Sequence, residues 1–339
     1  MPVILDDNES NESDSGELMI GLVNNMPDSA LEATERQFMS LLDASAGSLT
    51  VRLKFFALPE VPRGDLGWQR LRLLYADTSE IKHRQLDGLI VTGAEPCASD
   101  LRNEPYWADL IDLLSWVEAS ELPTIWSCLA AHAVVLRLAG IKRRKFREKC
   151  SGVFSCATVG THRLIAGMQA RFSVPHSRYN GLAEDDLVAA GFTVLSRSDE
   201  IGVDMFVRDG SVPFLFVQGH PEYSAYTLLR EYRRDVRRYL THEVEAYPPI
   251  PRGYFDARWE ATFRRFREDA VSKRTEETFS RLWPDGAEAA LNNPWRPAAV
   301  QLYANWLALL VRHKKTLAAG DLAFEPKHDQ RDSGEPIRP

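Results

Sequence analysis

The stretch Pro123-Thr-Ile-Trp-Ser-Cys128-Leu-Ala-Ala-His132 decides how this chain is read. An apolar run that ends in a cysteine and passes at once into a helix-forming segment is what a strand-to-helix turn needs to lift a thiol out of a sheet onto a helix N-terminus. Cys128 is therefore the first candidate nucleophile. Far downstream, Phe216-Val-Gln-Gly-His220-Pro-Glu222-Tyr223 closes a second apolar run with a histidine and a glutamate one residue apart. Alternate strand residues share a face, and a thiol needs a base that is itself held in orientation. His220 and Glu222 are thus expected to complete a Cys-His-Glu triad.

Working outward from this stretch, strand-like and helical patterns alternate. Leu18 to Asn24 is an apolar run, Ser29 to Leu42 has helical spacing, and Leu49 to Ala57 alternates like a strand. A loop rich in Pro, Gly and Arg follows. Asp87 to Thr92 predicts a short buried strand, Tyr106 to Ala119 a helix, and Pro123 to Ser127 the strand before Cys128. Such alternation predicts an α/β fold with a doubly wound, mostly parallel sheet covered by helices on both faces. Residues 151–213 predict several short strands, Phe214 to Gln218 another, and about 225–242 a long helix; helical stretches near 256–274 and 296–315 follow the break at Pro248-Pro-Ile-Pro251. The expected organisation is a disordered acidic N-terminus over 1–17, a main domain over 18–245, extra C-terminal helices over 246–325 packing on it, and a disordered tail over 326–339. No internal repeat is evident.

Composition narrows the function classes. The chain has 339 residues, 44% hydrophobic and 26% charged, enough for one large core or a core with an appendage. A net charge of -7 supplies no general attraction to nucleic acid or to an anionic membrane, and no apolar run is long enough to span a bilayer. Neither is expected as a partner. The start lacks the basic-then-apolar order of a signal peptide, and the four cysteines (97, 128, 150, 156) form no CxxC pair or disulfide framework. A reducing, cytoplasmic setting is expected, without a metal or a permanently bound cofactor. Cys97, Cys150 and Cys156 read as small buried hydrophobes, His132 and His176 as structural, and Trp107 and Trp306 as core.

Sites in such sheets lie beyond the carboxyl ends of the strands. Three segments fall there independently: Thr92-Gly93-Ala94, Ser127-Cys128-Leu129 and Gly219-His220-Pro221. The N–H groups of Gly93 and Ala94, with that of Leu129, are candidates for an oxyanion hole. The chemistry this predicts is acyl transfer through a thioester.

The segments Gly21-Leu-Val-Asn-Asn-Met-Pro27, Thr34-Glu-Arg-Gln-Phe38, Asp87-Gly-Leu-Ile-Val-Thr-Gly-Ala94 and Tyr106-Trp107 resemble the homoserine O-acyltransferase family. So do Glu148-Lys-Cys-Ser-Gly-Val153, Pro175-His-Ser-Arg-Tyr179, Gly219-His-Pro-Glu-Tyr223 and Asn305-Trp306. The resemblance covers about 18–242 and a piece near 295–312. It implies the fold of class I glutamine amidotransferases and ping-pong transfer of an acyl group, succinyl or acetyl, from acyl-CoA as co-substrate to the side-chain hydroxyl of homoserine or a relative such as serine. It further implies that Cys128 carries the acyl thioester, that His220 is the general base and Glu222 its orienter, and that Lys149, Ser177, Arg234 and Glu231 serve the amino-acid site. A homodimer is implied too.

Departures from the family pattern bear on substrate choice. The position where the resemblance implies acyl-donor specificity is Cys97, with Glu95 where a neighbour is normally apolar; a carboxylate there would oppose a succinyl tail if it faced the pocket. The loop from Met26 to Thr34 looks longer than usual and carries Asp28, a candidate for the acceptor side. A block over about 252–285 has no counterpart. Two other readings stay open from the residues: a glutaminase or other cysteine hydrolase of the same fold, and a non-catalytic amino-acid sensor.

Overall fold

Alternation within the central strands splits their side chains between two cores. A computed structural model of the chain describes residues 3–5 and 17–322. In chain order its elements are β1 (Val3–Leu5), β2 (Glu17–Val23), α1 (Asp28–Ser45), β3 (Thr50–Phe56), α2 (Asp65–Leu74), β4 (Tyr75–Ala76), β5 (Gly88–Val91), α3 (Trp107–Ala119), β6 (Thr124–Ser127) and α4 (Leu129–Ala139). Then come β7 (Arg144–Thr158), β8 (Arg171–Gly181), α5 (Glu184–Ala189), β9 (Thr193–Ser198), β10 (Gly202–Arg208), β11 (Phe214–Val217), α6 (Thr227–Leu240), α7 (Ala257–Ser272), α8 (Glu276–Leu282) and α9 (Arg296–Leu322). The sheet runs β1-β3-β2-β5-β6-β11-β10-β9-β7-β8. It is parallel from β1 through β11 and antiparallel beyond, where β10, β9, β7 and β8 add a meander. The expected α/β sheet with helices on its two faces is thus present, with an antiparallel half.

One face of the sheet presents Leu18, Ile20, Leu22, Leu53 and Ile90 to Phe38 and Leu41 of α1 and to Leu302, Trp306 and Leu310 of α9. The other presents Leu89, Val91 and Trp126 to Leu110 and Leu114 of α3 and to Val134 of α4. Residues 89 and 91 pointing one way and 90 the other is the period of two that a strand imposes. A third core joins Leu228, Tyr232 and Val236 of α6 to Phe263 and Phe266 of α7, Phe279 of α8 and Trp283.

Three expectations are corrected here. Val3–Leu5 lies in the stretch read as disordered; it is an edge strand in parallel register with Val51 to Leu53, because three apolar residues precede the acidic run. Residues 6–16 and the tail over 326–339 lie outside the described residues. The boundary drawn at 245 is no packing boundary, since α9 belongs to the core of the main sheet: a Cβ on Gly88 would lie 2.7 Å from Leu310 Cδ1 and 2.9 Å from Trp306 Cζ2. The loop after β3 holds α2, whose apolar residues stay exposed (Leu66 77%, Leu73 81%) and give little helical periodicity to read. Asp28 accepts from Gly64 N–H at 2.7 Å and sits beside Arg63 at 3.4 Å, which ties α1 to the start of α2, and it lines a cavity that Glu222 also lines.

Trp306 is 1% exposed at the seam of α9 and the sheet. Trp306→Ala is expected to lower stability by about 3–5 kcal/mol through lost burial and the cavity left behind, read as a shifted urea midpoint at unchanged slope.

Candidate active site

Strand β6 ends at Ser127 between β5 and β11, both parallel to it, and α4 begins at Leu129. The one residue left to turn the chain is Cys128, at φ 52° and ψ -112°. A non-glycine side chain held there costs on the order of 1–3 kcal/mol, and the neighbours hold it: Cys128 N–H donates to the Val217 carbonyl at 2.7 Å. The thiol is half-buried. It faces the His220 imidazole as a hydrogen-bond partner.

His220 is 5% exposed, and its Nδ1 lies 2.8 Å from Glu222 Oε1. The imidazole stacks on the Tyr223 ring, centroids 4.2 Å apart at 15°. Burial alone would pull the His220 pKa down, but the Glu222 carboxylate and Cys128 outweigh it and carry the pKa well above the ordinary imidazole value. His220 therefore holds a proton on Nδ1 toward Glu222 and offers Nε2 to the sulfur. The expected reason for the His220–Glu222 pairing is corrected: β11 stops at Val217, so the two residues do not share a strand face. A turn brings them together, with His220 N–H donating to the Pro175 carbonyl at 2.9 Å and Tyr223 N–H to the His220 carbonyl at 3.1 Å.

The Gly93 backbone runs against the start of α4. A Cβ at Gly93 would come within 2.8 Å of both Leu129 N and Leu129 Cβ, so no other residue fits without displacing the elbow. The loop is fixed from behind by Asn25, whose N–H donates to Thr92 Oγ1 at 2.8 Å and whose Nδ2 donates to the Thr92 carbonyl at 3.2 Å. Gly93 and Leu129 thus lie side by side at the thiol. Ala94 follows on the same loop.

Lys149, Ser177, Arg234 and Glu231 do meet, in a network that also takes in Asp235 and Tyr223. Lys149 Nζ reaches Asp235 Oδ2 at 2.6 Å and Glu231 Oε2 at 3.7 Å. Arg234 Nε donates to Asp235 Oδ1 at 2.9 Å, Tyr223 Oη donates to Glu231 Oε1 at 2.6 Å, and Ser177 Oγ donates to Glu231 Oε2. Burial opposes every charge in this group. For Lys149 it is outweighed by Glu231 and Asp235, which hold the ammonium above its usual pKa. For Glu231 it is outweighed by Lys149 and Arg234, and for Asp235 by the same two cations, so both carboxylates sit below their usual range. Arg234 is not free to clamp a ligand while it is paired with Asp235.

The donor loop departs from expectation in two respects. Glu95 pairs with Arg238, at 3.1 Å, and acts on Arg234 of the neighbouring network. Cys97 is exposed rather than buried, on a loop whose Cys97 and Ala98 N–H groups donate to Glu104 at 3.1 and 2.7 Å. Cys150 is half-buried and Cys156 buried, and burial pushes both thiols up. His132 and His176 are structural as expected: His132 Nε2 bonds Gln218 Oε1 at 2.8 Å, and His176 Nδ1 accepts from Arg178 Nε at 3.1 Å. Burial drives the first to about 3 and the second to about 4, so both are neutral. Trp306 is core and Trp107 half-buried. Among the described residues Cys156, His176 and Asp204 lie close enough to share one ion. As it stands the grouping is a buried polar pair beside a thiol: His176 Nδ1 accepts from Arg178, which leaves the neutral ring's proton on Nε2, 3.2 Å from Asp204 Oδ1, and the Cys156 thiol keeps its proton.

Sequence reasoning missed Tyr223, Asp235 and Asn25. Each lay within or beside a segment already singled out, but nothing in spacing alone separates a tyrosine that stacks on the base from one that fills a core.

The whole-chain comparison now decides the relationship: the family model described as homoserine O-succinyltransferase matches residues 2–317. This chain belongs to the homoserine O-succinyltransferase family. Curated relatives bearing that name include one from Rhodopseudomonas palustris, 48% identical over 291 residues (86% of this chain, 87% of the relative). Another, from Bradyrhizobium japonicum, is 44% identical over 295 residues (87% and 90%). Solved structures with a similar course include a glutamine amidotransferase from Methylobacillus flagellatus, 16% identical at TM-score 0.49 over 86% of this chain and 94% of that one. One from Thermotoga maritima is 12% identical at TM-score 0.48 over 87% and 98%. Homoserine O-succinyltransferases are acyltransferases, and among the described residues of this member no helix is long and apolar enough to cross a membrane.

Glu222 is the group that raises His220 most. Glu222→Gln is expected to lower the His220 pKa, read by NMR titration of the imidazole nitrogens. The sign follows for stability: a raised folded pKa stabilises fully below the unfolded value, about 6.5, and the benefit is lost as pH rises through the elevated value. The variant should lose that benefit at lower pH than the parent, and an unchanged titration would remove Glu222 as the orienter.

Proposed function

We propose that this chain transfers a succinyl group from succinyl-CoA to the side-chain hydroxyl of homoserine, by a ping-pong route through a thioester on Cys128. The observation that carries this reading is the half-buried thiol on its strained turn, facing an imidazole that Glu222 holds at 2.8 Å, in a chain 48% identical to a relative named for that reaction. In the first half-reaction the Cys128 sulfur, giving its proton to His220 Nε2, attacks the thioester carbon. The N–H groups of Leu129 and of Gly93 or Ala94 receive the oxyanion, a role worth about 10²- to 10³-fold per donor. His220 then returns the proton to the departing CoA sulfur.

In the second half-reaction neutral Nε2 takes the proton of the acceptor hydroxyl, whose oxygen attacks the acyl carbon and expels the Cys128 sulfur. The acceptor is an amino acid, and the Lys149–Glu231–Asp235–Arg234 network offers it both signs of charge. Glu231 and Asp235 suit an α-ammonium. Lys149 and Arg234 suit an α-carboxylate, which would have to displace Asp235 from Arg234, favoured by the forked geometry of a guanidinium. Serine stays a candidate acceptor and acetyl-CoA a candidate donor for a substrate panel to separate. No bound cofactor is needed. Four free cysteines accord with a reducing cytoplasm, and the homodimer that the family resemblance implies is tested by sedimentation.

Incubation with succinyl-CoA alone should add one succinyl mass to the intact chain, lost on adding homoserine. Cys128→Ala should abolish the adduct and cut turnover by several orders of magnitude. Absence of any adduct from the parent with succinyl- or acetyl-CoA would sink the mechanism, and ammonia release from glutamine without CoA would favour the glutaminase reading.

A further inference from the structure

The reading above rests on a donor whose acyl group ends in a carboxylate. Bringing that carboxylate to within a few bonds of Cys128 means taking it out of water, which is costly unless a cation or several donors receive it. Two guanidinium groups interact electrostatically with Cys128, those of Arg143 and Arg178. Arg178 is spent: it is 4% exposed and donates to His176 Nδ1, to the Asn180 carbonyl at 2.7 Å and to the Ile201 carbonyl at 3.0 Å. Lys149 and Arg234 are held by carboxylates on the far side of His220.

Arg143 is different. It lies at the mouth of β7, half-buried, and its one hydrogen bond to the described residues is a long contact of 3.5 Å to the Ser99 carbonyl. The Glu104 and Asp100 carboxylates act on it electrostatically, without a close ion pair among the described residues. It lines a cavity of about 220 Å³ together with residues 99–101, His132, Leu136 and Lys142. His132 is one helical turn after Cys128, so the cavity adjoins the elbow, and residues 99–101 continue the loop that carries Cys97. Arg143 thus acts on Cys128 from the wall of a cavity whose lining begins one turn beyond the nucleophile.

A second group points to the same place. Tyr106 is 4% exposed, yet its buried hydroxyl has no hydrogen-bond partner among the described residues. It interacts with Glu104, Cys97 and Arg143, and burial pushes its pKa up, so it keeps a proton to donate. The nearby Glu104 carboxylate acts on both groups and is itself anchored, its two oxygens accepting the N–H groups of Cys97 and Ala98. Glu95 is paired with Arg238.

We propose that Arg143 and the Tyr106 hydroxyl form the subsite for the terminal carboxylate of a dicarboxylic acyl group, with the thioester carbon at Cys128. Specificity for such a donor over a neutral one of equal length then comes from this pair.

The test uses two stable thioethers: S-(3-carboxypropyl)-CoA, which has the length and charge of the succinyl thioester, and S-butyl-CoA, its neutral counterpart. Their dissociation constants are measured by calorimetry on the full-length chain. The parent should bind the acid more tightly. Arg143→Gln should weaken the acid by about 10- to 100-fold, the range of a charge-assisted hydrogen bond, and the neutral ligand by less than about threefold. Arg143→Lys should restore part of the preference, and Tyr106→Phe should remove part of it. A preference that survives Arg143→Gln, an equal loss for both ligands, or a parent with no preference overturns the subsite. Should Arg143→Gln fail to fold, Arg143→Lys and Tyr106→Phe decide, and an unchanged ratio in both overturns it. If neither thioether binds the parent, the acyl-CoA reading itself falls, a result distinct from lost discrimination.

Discussion

The contact on which the site depends is the approach of the Gly93 backbone to the first residue of α4. Cys128 can keep a conformation unfavourable to any side chain only because the strands around β6 leave no alternative path, and because the loop from β5 passes close enough to fix where α4 begins. A Cβ at 93 would collide with Leu129 at 2.8 Å. The same proximity that strains the cysteine sets two backbone donors beside its sulfur. Geometry for the nucleophile and geometry for the oxyanion are in this sense one constraint, reinforced from behind by the Asn25–Thr92 hydrogen bonds.

Around that constraint the polar groups form two arms that diverge from His220. One arm passes through Tyr223 to Glu231 and the Lys149–Asp235–Arg234 cluster, where opposite charges offset the cost of burial. The other passes from Cys128 to Arg143, which has no close ion pair, and to Tyr106, whose hydroxyl has no hydrogen-bond partner among the described residues. The contrast is physical: a satisfied network stays as it is until a ligand exchanges with one of its members, whereas unsatisfied donors favour an incoming anion.

Much of this was legible in the sequence, for identifiable reasons. The elbow, the position of Cys128 and the framework strands follow from short apolar runs with sharp ends, because a buried parallel strand tolerates nothing else. The His220–Glu222 pair was found for a reason that does not hold, since the two residues lie on a turn. What stayed hidden depends on partners distant in sequence. Helix α2 exposes its leucines, and the strand at Val3–Leu5 is too short to signal itself. The orientation of Glu95 is set by Arg238, a residue 143 positions away. Whether a buried tyrosine hydroxyl is satisfied, as at Tyr223, or orphaned, as at Tyr106, has no signature in local composition.

Helix α9 has a consequence for how this molecule comes into being. Its Trp306 and Leu310 close the underside of the strands that carry the elbow, and Lys314 ties it to Asp87 at 3.0 Å. A nascent chain still lacking that helix has every reactive group already synthesised but a sheet with one face open to water. The turn at Cys128 therefore acquires its full backing only once α9 has joined the sheet.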